Sequence, residues 1–315
     1  MLAVLPAAAS RLADPVEAAV SRGLMRAGNT HTTMRIIVHG GAGGSPDEPE
    51  PRQEVLDEAA ETGAAESDPV DAVEAAVNVL EASDRFNAGY GGAVQSDGAV
   101  RTDAGLMTSD RETGAVASMD GVREAISAAR VVMEETPHIF VAGEHAVDLA
   151  DEFGVETDVD LLTPEKREEY ADEDPPTAGP KAHLEWLEER FGGHDTVGAV
   201  AFHEGEVAAA TSTGGRSWAL AGRVGDVPQV GSGFYCTPAG GASATGAGED
   251  IAKVTLTQRA VDKLEAGADA QTAADDAIAE FDDLTGSSAG VIVCDDEGTG
   301  AAFNSDAMQT STATR

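Results

Sequence analysis

The sequence predicts an α+β fold. Its strand candidates follow one another through tight turns, as in "TVGAVAFHEGEVAAATST" at 196–213. Its helix candidates stand in separate groups and do not alternate with strands in a βαβ manner. Hydrophobic residues make up 42% and aromatics only 4%, so the core must be filled with Ala, Val, Ile and Leu. A length of 315 residues suits one large domain or two small ones.

"MRIIVHG" (34–40) reads as a buried first strand ending in a Gly-rich turn. Met34 directly precedes it, so residues 1–33 are expected to be a frayed extension or the product of a start codon placed too early. One structural domain is expected over 34–315. "DPVDAVEAAVNVLEAS" (68–83) predicts a helix with Asp68 as N-cap and Pro69 in its first turn. Val70, Val73, Val77 and Leu80 share its apolar face. "AVQSDGAVR" (93–101) predicts a hairpin through Asp97-Gly98, and "VREAISAARVVMEE" (122–135) a further helix. "HIFVAG" predicts a strand leading into a helix around "EHAVDLADEF". Residues 155–193 are charged, Pro-bearing and poor in periodic apolar positions. They read as an exposed acidic linker with one helix at "HLEWLEERF". After Thr196 come strand, turn and strand, then helices at about 249–266 and 269–284, then a hairpin over 289–304. No internal repeat is present.

The charge balance limits the partners. There are 57 Asp and Glu against 20 Lys and Arg, a net charge of −37, with Lys only at Lys166, Lys181, Lys253 and Lys263. Nucleic acid and anionic membranes are repelled by such a surface. The acids are dispersed along the chain, which fits an acidic interaction tail poorly and fits an extreme halophile. In molar salt the screening length is about 3 Å and self-repulsion is suppressed. No apolar run approaches the ~18 residues of a membrane span, and the first residues lack the basic start of a signal peptide, so a cytoplasmic protein is expected. Cys236 and Cys294 have no metal-ligand spacing and read as reduced core residues. The seven His residues form no zinc pair, so no metal is expected from side-chain patterns.

The turn at Glu204-Gly205 pairs residues whose numbers sum to 409, so His203 faces Glu206 and Thr196 faces Thr213 at the open end of the hairpin. A cross-strand Thr pair is common in sheets and carries no chemistry by itself. Three polar or Gly-rich clusters follow at strand ends: "TSTGG" (211–215), "GRVGD" (222–226) and "ATGAGED" (244–250). Singly, the second reads as a surface salt bridge and the third as a helix entry. Together they offer a guanidinium, a carboxylate, hydroxyls and bare N–H groups, a set that suits a zwitterionic amino acid.

With "HGGAG" (39–43), "FNAGYG" (86–91), "TDAGLM" (102–107), "AARVVMEETPH" (128–138), "DTVGAVAF", "AATSTGG" (209–215), "GRVGDVP" and "ATGAGE", the sequence from Met34 to about Met308 resembles the Thr-dependent N-terminal nucleophile hydrolases. These are the plant-type L-asparaginases, isoaspartyl peptidases and glycosylasparaginases. The resemblance implies an αββα sandwich, two antiparallel sheets flanked by helices. It implies self-cleavage between Asp195 and Thr196, giving an alpha part 34–195 and a beta part 196–315 that assemble as a dimer of heterodimers. Thr196 would be the nucleophile, its freed α-amine the base, and Thr213 its orienting partner. Arg223 would hold a substrate α-carboxylate and Asp226 the α-ammonium, with Thr245 and Gly246 forming the oxyanion hole. The Asn87 loop would support the site and hold a structural sodium ion. No other cofactor is implied. His194 lies on the leaving side of the cleavage point and is given no role.

The substrate expected from the resemblance is L-asparagine or a β-aspartyl dipeptide. Asp195 before the nucleophile, where asparaginases commonly carry Gly, keeps glycosylasparaginase as an alternative; "HGGAG" points back to asparaginases. A relative that cuts protein substrates fits the acidic surface poorly. A pocket that binds an amino acid but never matures is the alternative of another class.

Overall fold

The protein is described by a computed structural model covering residues 33–187 and 196–315. The expected extension, Asp195 and His194 lie outside the described residues. Residues 33–315 form one compact unit.

Strand β1 (Arg35–Gly43) is followed by helices α1 (Pro49–Ala64) and α2 (Pro69–Glu81). Then come β2 (Arg101–Thr108), β3 (Thr113–Asp120), α3 (Ala125–Glu135), β4 (Phe140–Ala142) and α4 (Glu144–Glu152). Helices α5 (Pro164–Asp172) and α6 (Pro180–Leu187) precede β5 (Val197–His203) and β6 (Glu206–Thr213). The chain closes with β7 (Phe234–Thr237), β8 (Gly240–Gly246), α7 (Gly248–Val254), α8 (Leu256–Glu265), α9 (Ala270–Thr285), β9 (Ala289–Cys294), β10 (Thr299–Phe303) and β11 (Ala307–Thr314). The strands form a seven-stranded sheet, ordered β11-β1-β5-β6-β2-β3-β4, and a four-stranded sheet, ordered β10-β9-β8-β7.

The hairpin that opens at Thr196 has the expected register. Val197 faces Ser212 and His203 faces Glu206, each pair summing to 409. Glu204 (φ 52°) and Gly205 (φ 93°) both take positive φ, as a two-residue turn matched to strand twist requires. The period of two then sorts the side chains. Val197, Ala199 and Ala201 join one core with Leu56, Val73, Val77, Leu80 and Ile126. Val200 and Phe202 join another with Ile37, Val207, Phe234, Cys236, Ile292 and Cys294. A third core sets Ala242, Ala244, Val291 and Val293 against Ile251, Leu256, Val261 and Phe281.

Helix α2 follows its sequence signals. The Asp68 side chain accepts from Val70 N and Asp71 N, and Val73, Val77 and Leu80 are buried. Arg130 of α3 ties the two helices together through Asp71 and Glu74.

Several expectations need correction. The larger sheet is not wholly antiparallel: β3 and β4 pair in parallel, because α3 carries the chain back to the same end of the sheet. The hairpin over 93–101 reduces to a single Val94–Val100 bridge. Helix α1 was not anticipated; its buried stripe is Leu56, Ala59, Ala60, Gly63 and Ala64, a weak apolar signal. The acidic linker holds two helices among its described residues. It contributes Leu161 and Leu187 to a cluster with Trp218, packed by Tyr170 and Trp186. The helix expected over 249–266 breaks at Thr255, which adopts a left-handed conformation (φ 55°). Strand β11 was also missed. It returns to the larger sheet and pairs with β1, a partner distant in sequence.

Candidate active site

Thr196 sits just before β5, buried, and its hydroxyl lies 3.5 Å from that of Thr213 at the end of β6. Thr213 Oγ1 accepts from Gly215 N at 3.0 Å and lies 3.4 Å from the Asn87 carbonyl. Asn87 binds the turn from the other side. Its Nδ2 donates to Gly215 O and its Oδ1 accepts from Ala93 N, both at 2.6 Å, while its carbonyl accepts from Gly214 N at 2.9 Å. Gly214 leaves no space for a side chain there: a Cβ would meet Gly92 Cα at 2.4 Å. The Thr pair is therefore held by a close packing of two Gly-bearing loops.

Below Thr196, Gly198 lets β5 lie against a polar chain. A Cβ at Gly198 would meet Ser243 Oγ at 2.0 Å and His39 Nε2 at 2.6 Å. His39 Nε2 is 2.9 Å from Ser243 Oγ, which is 2.7 Å from Thr211 Oγ1. Burial lowers the His39 pKa to about 3, against a weaker opposing contact with the Thr196 backbone. The imidazole is neutral and can hold the strands without adding charge. Thr245, two residues beyond Ser243, is fully buried and accepts from Ala42 N at 3.2 Å. Gly246 ends β8 at φ 134°, with its Cα against Ser288 O and Ala289, where a side chain cannot be placed.

The charged groups gather beside this. Asp103 of β2 faces Thr213 across the ladder. It is buried, accepts from Ser118 N at 2.7 Å, and has its pKa raised to about 7 by burial. The fields of Arg223 and Asp226 act on it in opposite directions. Asp226 is 4% exposed, with one carboxylate oxygen lacking any partner among the described residues. Burial raises its pKa to about 6, and Arg223 pulls it down. Gly248 stands between the two: a Cβ there would meet Asp226 Oδ1 at 2.5 Å and Arg223 Nη2 at 2.9 Å. Arg223 Nε and Nη2 each donate to Glu249 at 2.8 Å.

The two plain readings of these loops thus hold as well. Arg223 of "GRVGD" does make a salt bridge, though to Glu249 of the next loop and not to Asp226 within the motif, and "ATGAGE" does enter a helix. Thr196, Thr213 and Asn87 come together, as do Arg223 and Asp226, with Asp103 linking the groups through Thr213. Asp103, His39 and Glu249 lie in the motifs "TDAGLM", "HGGAG" and "ATGAGED", whose pattern alone assigns them no role. Ser243 and Glu81 carry no sequence signal of a site. Glu81 is fully buried against Ser212, the residue before Thr213. Burial pushes the Cys294 thiol up to about 12 and the Cys236 thiol higher still. Both are unreactive core residues. Among the described residues no cluster of His, Cys, Asp and Glu could hold a metal, and no helix is long and apolar enough to cross a membrane.

Known proteins are similar to this sequence over most of its length. The asparaginase family profile matches residues 32–315. A plant-type L-asparaginase from Pyrococcus abyssi is 41% identical, covering 78% of this chain and 84% of its own. One from Pyrobaculum calidifontis is 42% identical over 77% and 84%. An isoaspartyl peptidase/L-asparaginase from Danio rerio is 37% identical over 85% and 87%. At that identity and coverage, the chain belongs to the asparaginase family.

Proposed function

We propose that this protein is a self-processing amidohydrolase acting on L-asparagine and on peptides with an N-terminal β-aspartyl residue. The observation that carries the reading is the Thr196–Thr213 hydroxyl pair beside an Arg and a buried, half-unpaired Asp. The relatives' names support it, since they read asparaginase or isoaspartyl peptidase/L-asparaginase. A glycosylasparaginase has less support from them. We infer too that the two sheets stack face to face between the helix groups. The core shared by Ile37, Val200, Phe234 and Ile292 supports that four-layer order.

In the proposed sequence Thr196 Oγ first attacks the Asp195 carbonyl. The acyl group moves from nitrogen to oxygen, and water hydrolyses the ester. This leaves a carboxylate at Asp195 and a free α-amine on Thr196. An α-amine has a reference pKa of about 7.7–8.0, so it serves as a base near neutrality. It takes the hydroxyl proton as Thr196 Oγ attacks the side-chain amide carbon of the substrate. The proton passes to the leaving nitrogen, and ammonia or a peptide amine departs. Water, deprotonated by the same amine, then hydrolyses the Thr196 ester and frees L-aspartate. Thr245 and Gly246 N–H would stabilise the oxyanion; loss of one such donor typically costs about 3 kcal/mol. Arg223 and Asp226 would hold the α-carboxylate and α-ammonium. On one edge of the Asn87 loop, the carbonyls of Gly91 and Gly92 already take the Lys166 ammonium.

Purified protein assayed against asparagine, β-aspartyl-leucine and a glycosyl-asparagine tests this. Release of aspartate from the first two supports it, and activity confined to the third overturns it.

A further inference from the structure

A site for a zwitterion contains its own inhibitor. Its cation and its anion attract each other, and a pair that closes on itself no longer binds a ligand. Here Arg223 and Asp226 lie three residues apart in one loop, and both touch the space above Gly248. Yet they do not pair. Asp226 keeps one buried oxygen without a partner, and the Arg223 guanidinium bonds to Glu249 instead. Glu249 takes the Nε–Nη2 edge, and Nη1 makes no bond to a described residue. A guanidinium has five N–H donors in one plane, so one carboxylate can hold that edge while the Nη1–Nη2 edge stays available to another.

We propose that Glu249 is a positioning residue that holds Arg223 away from Asp226 and so keeps the zwitterion site open. This rests on the proposed role of Arg223 and Asp226 in binding the substrate's α-carboxylate and α-ammonium. Two further features fit it. The Glu249 side chain is 44% exposed and that of Arg223 17% exposed, so Glu249 stands on the solvent side and draws the guanidinium outward. Arg216 Nη1 lies 3.8 Å from Glu249 Oε2, a second cation that holds the carboxylate in place. Without Glu249, the strongest attraction left to Arg223 is the buried Asp226 carboxylate, with Asp103 behind it. The guanidinium then swings inward, and substrate must break a buried ion pair before it binds.

The test is steady-state hydrolysis of L-asparagine by fully cleaved wild type, Glu249→Ala, Glu249→Gln, Arg223→Ala and the Arg223→Ala/Glu249→Ala double variant. The affinity for L-aspartate is measured on the same samples by calorimetry. Glu249→Ala should raise KM and weaken aspartate binding about tenfold, the scale of one lost charge-assisted contact, with kcat within about twofold of wild type. Glu249→Gln retains an acceptor for Nε and should lie between the two. It also serves as the test if the Ala variant fails to fold. In the Arg223→Ala background, removing Glu249 should change neither constant, because its only route to substrate is gone. A lowered KM in Glu249→Ala would mean that Glu249 plugs the site, and an unchanged KM that it does nothing there. Either result overturns the proposal, as does an equal penalty without Arg223. Wild-type protein that neither hydrolyses asparagine nor binds aspartate overturns the functional reading beneath it instead.

Discussion

Glu81→Gln isolates the cost of a buried carboxylate beside the site. In the native protein one Glu81 oxygen takes the Ser212 hydroxyl at 2.5 Å and the Ile126 N–H at 3.2 Å. The other has no partner among the described residues. Burial raises the pKa from 4.5 to about 8, against the pull of those two hydrogen bonds. Between these values the native state keeps a proton that the unfolded chain has lost. Stability therefore falls as pH rises through this window, by about 1.4 kcal/mol per pH unit for one group. From pH 5 to pH 8 the loss sums to about 3.5 kcal/mol. Carboxylates held below their ordinary range, such as Asp57, Asp250 and Glu280, lose their contribution only below this window. Glutamine keeps both accepted bonds and does not titrate. Its amide adds one unmatched donor relative to the neutral acid, at a cost of about 1 kcal/mol at every pH. The variant should be the less stable protein at pH 4 and the more stable one at pH 8, with the curves crossing at about pH 5. The assay is urea unfolding followed by circular dichroism in constant molar KCl. Both proteins carry Thr196→Ala, so that each is a single chain. Parallel curves would refute the reasoning, since they would mean that Glu81 titrates alike in both states.

Arg223→Ala should raise KM for asparagine by about a hundredfold, the loss of a charge-assisted bidentate contact, while the chain still cleaves; an unchanged KM removes Arg223 from the site. KM should also climb as pH drops below about 6, because burial sets the Asp226 pKa there and the neutral acid no longer holds an ammonium. Asp226→Asn should flatten that rise, and a variant with the wild-type profile assigns it to another group. The chain's two tryptophans, Trp186 and Trp218, lie on opposite sides of the proposed cleavage point with ring centroids 5.7 Å apart. If α6 leaves the cluster on cleavage, acrylamide quenching should increase as fragments appear; constant quenching means that it stays docked. Dialysis from molar KCl to a few tens of millimolar should lower far-UV ellipticity and asparagine hydrolysis together, because a net charge of −37 is then screened poorly. If both hold for hours, the halophile reading is wrong.

What the sequence revealed was local. A two-residue turn leaves one register, so Glu204-Gly205 alone brought Thr196 opposite Thr213. Asp68 and Pro69 marked the start of α2 in the same way. What it hid depended on distant partners. Strand β11 exists because β1 has a free edge, and Trp218 decides that the acidic linker packs. Glu249 looked like one more solvated acid, and only the fold shows that it holds Arg223. Asp103 carried no signal of its own beyond its motif, because its burial comes from the strands around it.

The proposed chemistry depends throughout on Thr196 becoming an N-terminal nucleophile. Intact-mass analysis with N-terminal sequencing of the purified, active protein tests it most directly. Active wild type should show two fragments, the smaller beginning TVGAVAF, and Thr196→Ala a single uncut, inactive chain. A full-length chain with full activity would contradict it.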